Sequence, residues 1–234
     1  MSNQKTQLVK DELYHIVYRA VGDTTIFQNE DDYYRGIFSF YEFNTKNLVT
    51  IRERRKIRLE YKKTNRSLTP DDRDLLVEIL VFCFMPNHIH LLLKQLKDNG
   101  ISQFMQKFGS GYANYFNKKY TRKGHLFNKF KAVYIENNNQ LKNVFTYIHT
   151  NPISLVEPGW KEKGIENPKK VIEFLESYKW SSYQDYIGIK NFPSVTKRDF
   201  LLEVMGGEIG CKEAVEDWIK YKKEIKDFKD VVLE

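Results

Sequence analysis

Cysteine is nearly absent: Cys83 and Cys211 are the whole complement of a 234-residue chain. Two thiols are too few for a disulfide framework or a thiolate zinc site. Cys83, set in an apolar run, reads as a small core residue. No apolar stretch approaches the ~18 residues of a membrane span, and Met1 to Lys5 are hydrophilic. Neither a secretory signal nor a membrane anchor is therefore expected, and a reducing cytoplasm is. No Gly-x-x-x-x-Gly-Lys-Ser/Thr phosphate loop occurs, so no nucleotide-driven step is expected. No internal repeat is visible. What the chain does have is 41% hydrophobic and 15% aromatic residues, enough to bury a proper core and too much for a disordered protein.

The net charge of +7 is unevenly spread. Between Lys46 and Arg66 lie nine basic residues (Lys46, Arg52, Arg54, Arg55, Lys56, Arg58, Lys62, Lys63, Arg66) against Glu53 and Glu60, an excess equal to that of the whole chain. A second stretch, Lys118 to Lys131, holds Lys118, Lys119, Arg122, Lys123, Lys129 and Lys131, no acid, and interleaved Tyr120, Phe127 and Phe130. Phosphate neutralisation combined with ring stacking is how proteins hold single-stranded nucleic acid. Runs of charge often merely face solvent; the mixing of basic residues with Tyr or Phe favours nucleic acid here.

Glu12 to Ala20 alternates and is rich in β-formers, predicting a first strand. Asn29 to Phe43 opens on a capping residue and acids and sets Tyr34, Ile37, Phe38 and Tyr41 on one face, predicting a helix. The basic segment that follows has weak periodicity and is expected to order on its partner. Leu75 to Phe84 reads as a buried strand, Met85-Pro86-Asn87 as a turn, and His88 to Lys94 as a returning strand. Phe104, Phe108, Tyr112 and Phe116, four apart, predict a helix over 101–120. Ala132 to Glu136 is a short strand, and Gln140 to Asn151 a helix stopped by Pro152. The order β-α-β-β-α-β is the ferredoxin-like, α+β arrangement: an antiparallel sheet with helices on one face, one appended helix and a C-terminal tail. Residues 1–154 are expected to form the main domain, with 46–66 as a basic insert, and 155–234 an accessory segment ending in a charged helix over 213–228.

His88 and His90 are one residue apart, so on a strand both rings leave the same side of the sheet. Burying two imidazoles among Leu, Ile and Phe is costly unless they are ligated or hydrogen-bonded, and a divalent metal would do this directly; two satisfied edge histidines are the bland alternative. Tyr147 and Asn151 are four apart and share a helix face. If that helix lies on the histidine strand, His88, His90 and Asn151 make a three-ligand site beside the Tyr147 phenol, an arrangement suited to phosphoryl transfer. His149 is expected to be structural or to contact DNA, His125 to contact phosphate, and His15 to be a satisfied sheet residue.

Met85 to Lys94, Gly124 to Phe127 with Phe130-Lys131, Tyr147 to Pro152, and Trp180-Ser181-Ser182-Tyr183, taken in order, resemble the single-tyrosine HUH transposases, most closely the REP-associated tyrosine transposase branch. The resemblance spans about Leu13 to Tyr186. It implies a ferredoxin-like domain that binds hairpin or inverted-repeat single-stranded DNA and uses Mg²⁺ or Mn²⁺. By motif, His88 and His90 become the metal-binding pair, Asn151 the third ligand and Tyr147 the nucleophile that forms a 5′-phosphotyrosine link and releases a 3′-hydroxyl. The basic residues Arg52, Arg54, Arg55, Lys56, Arg58, Lys118, Lys119, Arg122, Lys123, His125, Lys129 and Lys131 are the DNA-binding candidates. The resemblance implies either a homodimer, as in insertion-sequence relatives, or a monomer, as REP-associated ones can be; the long 46–66 insert and the extended tail leave both open.

Three other readings compete. A replication initiator or relaxase would keep the fold and the metal. A single-strand-binding regulator would keep only the surface, against which stand the intact His88, His90 and Tyr147. A metal hydrolase built on His-x-His-x-Asp-His fails at Leu91 and Leu92.

Overall fold

Alternation in the sequence becomes a two-sided sheet in the computed structural model, which describes residues 8–64 and 73–220. Four strands, β1 (Leu13–Arg19), β2 (Val77–Met85), β3 (His88–Gln95) and β4 (Lys131–Tyr134), lie in the order β2-β3-β1-β4, every neighbouring pair antiparallel. That is the ferredoxin-like order. Strands β2 and β3 are joined through Pro86 and Asn87, with Met85 opposite His88. Helix α1 (Glu30–Phe43) connects β1 towards β2, and helix α3 (Gly100–Lys119) connects β3 to β4. The Asn29 side chain accepts from Asp32 N at 3.3 Å, the capping contact expected there.

One face of the sheet carries Tyr14, Ile16, Tyr18, Phe82, Phe84, Ile89, Leu91 and Leu93 and is covered by α1 and α3. The four-residue aromatic ladder of α3, Phe104 to Phe116, is fully buried there. The buried face of α1 differs from expectation. Tyr33, Ile37, Phe40 and Phe43 are inside, whereas Tyr34 is 41% exposed. Phe38 and Tyr41 instead sit under the Arg58 guanidinium, and Tyr34 meets the edge of Trp180. Two aromatic stripes compete on this helix, and contact with α3 selects one of them.

The other face, Leu80, Val81, Cys83, Met85 and Leu92, is not left to solvent. Helix α4 (Asn138–Thr150) packs on it, capped by Asn137, which accepts from Gln140 N at 2.9 Å. Behind α4 come α5 (Trp160–Lys163), α6 (Pro168–Ser177), α7 (Tyr183–Tyr186), α8 (Asp199–Met205) and α9 (Gly207–Lys220). Trp160, Val171, Leu175, Tyr178, Tyr186, Leu201 and Cys211 from this segment join the same core as Phe145 and Ile148. The charged helix expected over 213–228 begins earlier, at Gly207; residues past 220 lie outside the described part.

The Trp180–Tyr183 block closes the outer edge of β2. Phe84 N donates to Trp180 O (2.8 Å), Ser182 N to Phe82 O (3.0 Å) and Lys197 N to Ile79 O (2.9 Å). Tyr178 and Tyr186 hydroxyls cap Phe84 O and Leu80 O at 2.7 and 2.8 Å. An uncovered strand edge invites foreign strands; here backbone and phenol groups occupy it. The basic segment is also more ordered than expected: 51–64 is helix α2, tied to α1 by Arg58 and Arg54. Arg66 lies outside the described residues.

Candidate active site and nucleic-acid surface

Directly opposed residues in a sheet share a face. The register therefore sets Lys131, Val17, His90 and Cys83 in one cross-strand row, and Arg19, His88 and Met85 in the next. Both histidines of the His-x-His pair face α4, their ring centres 4.9 Å apart. The Tyr147 ring stands edge-on to His90 at 5.6 Å. Asn151 follows one turn later, at the end of α4, its Nδ2 donating to Tyr147 O at 2.9 Å. The structure thus brings His88, His90, Tyr147 and Asn151 together from two distant stretches of sequence.

A third histidine joins them. His15 of β1 is fully buried, its Nε2 3.1 Å from His90 Nδ1, and its ring lies 5.8 Å from that of Tyr147. Sequence reasoning took it for an ordinary sheet residue. The signal was parity: 15, 17 and 19 share one face of β1, but only the β1–β3 register shows that this face is the histidine face. Arg19 was missed for the same reason. Lys161, whose Nζ stands 5.9 Å from the Tyr147 ring centre, carries no sequence signal at all.

The electrostatics favour neutral imidazoles. Burial, then the nearby Arg19 and Lys161 charges, push His88 down to about 3. Burial holds His90 well below its ordinary value, with His15, His88, Arg19 and Lys161 adding to the effect. Burial raises the Tyr147 phenol, while a hydrogen bond with Asn151 and the Arg19 charge pull it back in part. Neutral imidazoles have the lone pairs a metal needs. His90 Nε2 is fully buried without a hydrogen-bond partner, and such an atom is costly unless something binds it. Among the described residues no group of three or more His, Cys, Asp or Glu is arranged to hold a metal. A third protein ligand would come from outside those residue types, and the Asn151 amide oxygen is one of suitable chemistry. The residues present fit a divalent cation.

Residues 39–151 match the family described as "Transposase IS200 like". That stretch contains His88, His90, Tyr147 and Asn151. Over this stretch the chain is similar to the IS200-like transposases. No curated protein matches the chain. Among solved structures, it is similar to a REP-associated tyrosine transposase bound to a REP hairpin, with 12% identity, 85% of this chain and 93% of the other covered, and a TM-score of 0.47. It is also similar to a bacterial tRNA(His) guanylyltransferase-like protein in complex with ATP, at 13% identity, 77% of each chain and a TM-score of 0.39.

The basic residues expected to meet DNA divide into two groups. Arg58 Nη2 pairs with the buried Glu42 at 2.8 Å, with Arg54 Nε 3.6 Å from the same carboxylate. Lys119 pairs with the fully buried Asp32 at 2.6 Å. These three cations are engaged within the fold. Arg52, Arg55, Lys56, Lys118, Lys123, His125, Lys129 and Lys131 are exposed, and Arg122 is half-buried against Asn117. Lys131 is in the cross-strand row of His90, and Asn128 N bonds Arg19 O at 2.9 Å, so the second basic stretch runs alongside the candidate site. His125 instead lines a cleft of about 440 Å³ with Gln106, Ser110 and Asn114 of α3. His149 does not reach solvent: it is buried, its Nε2 2.9 Å from Ser182 Oγ. Of its two expected roles, contact with DNA needs an exposure that this position lacks. No helix among the described residues is long and apolar enough to cross a membrane.

Proposed function

We propose that the chain cuts and rejoins hairpin-bearing single-stranded DNA through a covalent bond to Tyr147. The observation supporting this is the position of the Tyr147 ring, packed edge-on against the buried His90 and one turn from Asn151. Tyr147 Oη attacks the scissile phosphorus in line, the phosphorus–O3′ bond breaks, and the 5′-phosphate remains on the tyrosine. The phenolic proton leaves through solvent and the departing O3′ gains one, ending as a 3′-hydroxyl. One phosphodiester replaces another, so rejoining by a 3′-hydroxyl needs no nucleotide. Arg19 favours the phenolate, and Arg19 and Lys161 counter charge building on the phosphate. His88, His90 and Asn151 would hold Mg²⁺ or Mn²⁺, which when bound polarises a non-bridging phosphate oxygen.

The hairpin preference follows from the sequence resemblance, and the exposed basic residues supply the backbone contacts. Such a substrate places the protein in the cytoplasm with the DNA. The test is a labelled hairpin oligonucleotide incubated with protein and Mn²⁺, followed by denaturing electrophoresis and peptide mapping. A covalent adduct on Tyr147 is expected, absent in Tyr147→Phe, which keeps the ring and binds the hairpin as before. An adduct on another tyrosine, or cleavage without any adduct, would overturn the assignment.

A further inference from the structure

A metal-binding imidazole must present the correct nitrogen. A neutral ring carries one proton, so a hydrogen bond at one nitrogen decides whether the other has a free lone pair. The two site histidines are engaged at the same atom. His88 Nδ1 lies 2.6 Å from Asn87 Oδ1. That oxygen only accepts, so Nδ1 carries the proton and Nε2 the lone pair. His90 Nδ1 lies 3.1 Å from His15 Nε2, while His90 Nε2 is buried with no hydrogen-bond partner.

We propose that His15 is a positioning residue for the active site: it accepts a hydrogen bond from His90 Nδ1–H, and so keeps His90 Nε2 unprotonated and aimed at a divalent cation. The inference rests on the metal reading above. His15 is well placed for it. Its ring is nearly parallel to that of His90, 21° between planes. It is also wedged edge-on against Tyr147, which prevents it from turning away. His15 touches the nucleophile and one ligand and is itself neither. Partners of this kind orient a ligand and raise its basicity, and losing one typically weakens metal affinity by about 10–100-fold.

Two substitutions separate positioning from packing. In His15→Gln, the amide oxygen can stand where Nε2 stands and still accept. His15→Phe keeps a flat ring against Tyr147 but cannot accept. The first readout needs no metal: ¹⁵N–¹H correlation of the metal-free protein reports the His90 tautomer. Wild type and His15→Gln are expected to carry the His90 proton on Nδ1, and His15→Phe to shift towards Nε2–H. The second is Mn²⁺ affinity by calorimetry without DNA, expected to fall about 10–100-fold in His15→Phe and to recover in His15→Gln. An Nε2–H tautomer of His90 in the wild type would overturn the proposal without any variant. A folded His15→Phe with wild-type tautomer and affinity would overturn it as well. Wild-type protein that shows the Nδ1–H tautomer but binds no Mn²⁺ would overturn the metal reading and leave the hydrogen bond standing.

Discussion

Asn151 and the two histidines should differ in what their removal costs. His88→Ala or His90→Ala leaves two protein donors at most, and with them too little to hold a divalent ion in place. Cleavage of a hairpin substrate is expected to disappear at every Mn²⁺ concentration. Asn151→Ala should shift the Mn²⁺ titration to higher concentration and keep the same plateau, because water can replace an oxygen ligand. Equal activity of the histidine variants in chelator would remove the metal from the mechanism. A second residue-scale effect lies away from the site. Burial alone would raise the Asp32 carboxyl, but hydrogen bonds from Lys119, Tyr120, Tyr115 and Gln28 N hold it below its ordinary value of 3.8. A depressed acid stabilises the fold above its unfolded pKa, and that contribution is lost as pH falls through the folded value. Asp32→Asn should therefore lower the urea midpoint at pH 7, by about 1–3 kcal/mol in stability. The gap to wild type should narrow below about pH 4. A pH-independent gap would assign the loss to packing.

Helix α2 has two faces with different tasks. Arg58 and Arg54 hold Glu42, which is 4% exposed, whereas Arg52, Arg55 and Lys56 point outward. Replacing the outward three by Gln should flatten the log–log salt dependence of single-stranded DNA binding by about 0.7 per lost phosphate contact, about 2 in all. Thermal stability should not change. Arg58→Gln should instead cost stability, about 1–2 kcal/mol after discounting for the exposure of the arginine, with little change in the salt slope. The reverse pattern in binding titrations and melting curves would exchange the roles of the two faces. The sequence marked this segment as basic but could not show its helix. The apolar stripe is weak, and the fixing contact comes from a carboxylate on another helix.

At the scale of the molecule, the C-terminal segment acts as the second layer of the sheet. It covers Leu80, Val81 and Cys83 and occupies the β2 edge. We infer that the boundary expected near residue 154 divides sequence motifs and not independently folding units. A chain ending at residue 159 keeps α4 on the sheet but should expose the apolar side of α4 that the later helices cover, together with an open β2 edge, and should aggregate. A soluble fragment with a cooperative melt would show that 1–159 folds alone.

The sequence by itself determined the local elements, since strand and helix periods are written in neighbouring residues: the His-x-His strand, the Phe104–Phe116 ladder and the Tyr147–Asn151 pair are all one-dimensional patterns. It also supplied the motifs that match the transposase family. What it could not contain was register and partnership. Only the pairing of β1 with β3 placed His15 and Arg19 beside the histidine pair. Only α3 chose which aromatic stripe of α1 is buried. Only tertiary contacts separated Arg54, Arg58 and Lys119, engaged with buried carboxylates, from the cations left for DNA. Period is a property of adjacent residues, whereas these choices depend on which distant surfaces meet, and that is decided when both faces of the sheet are buried at once.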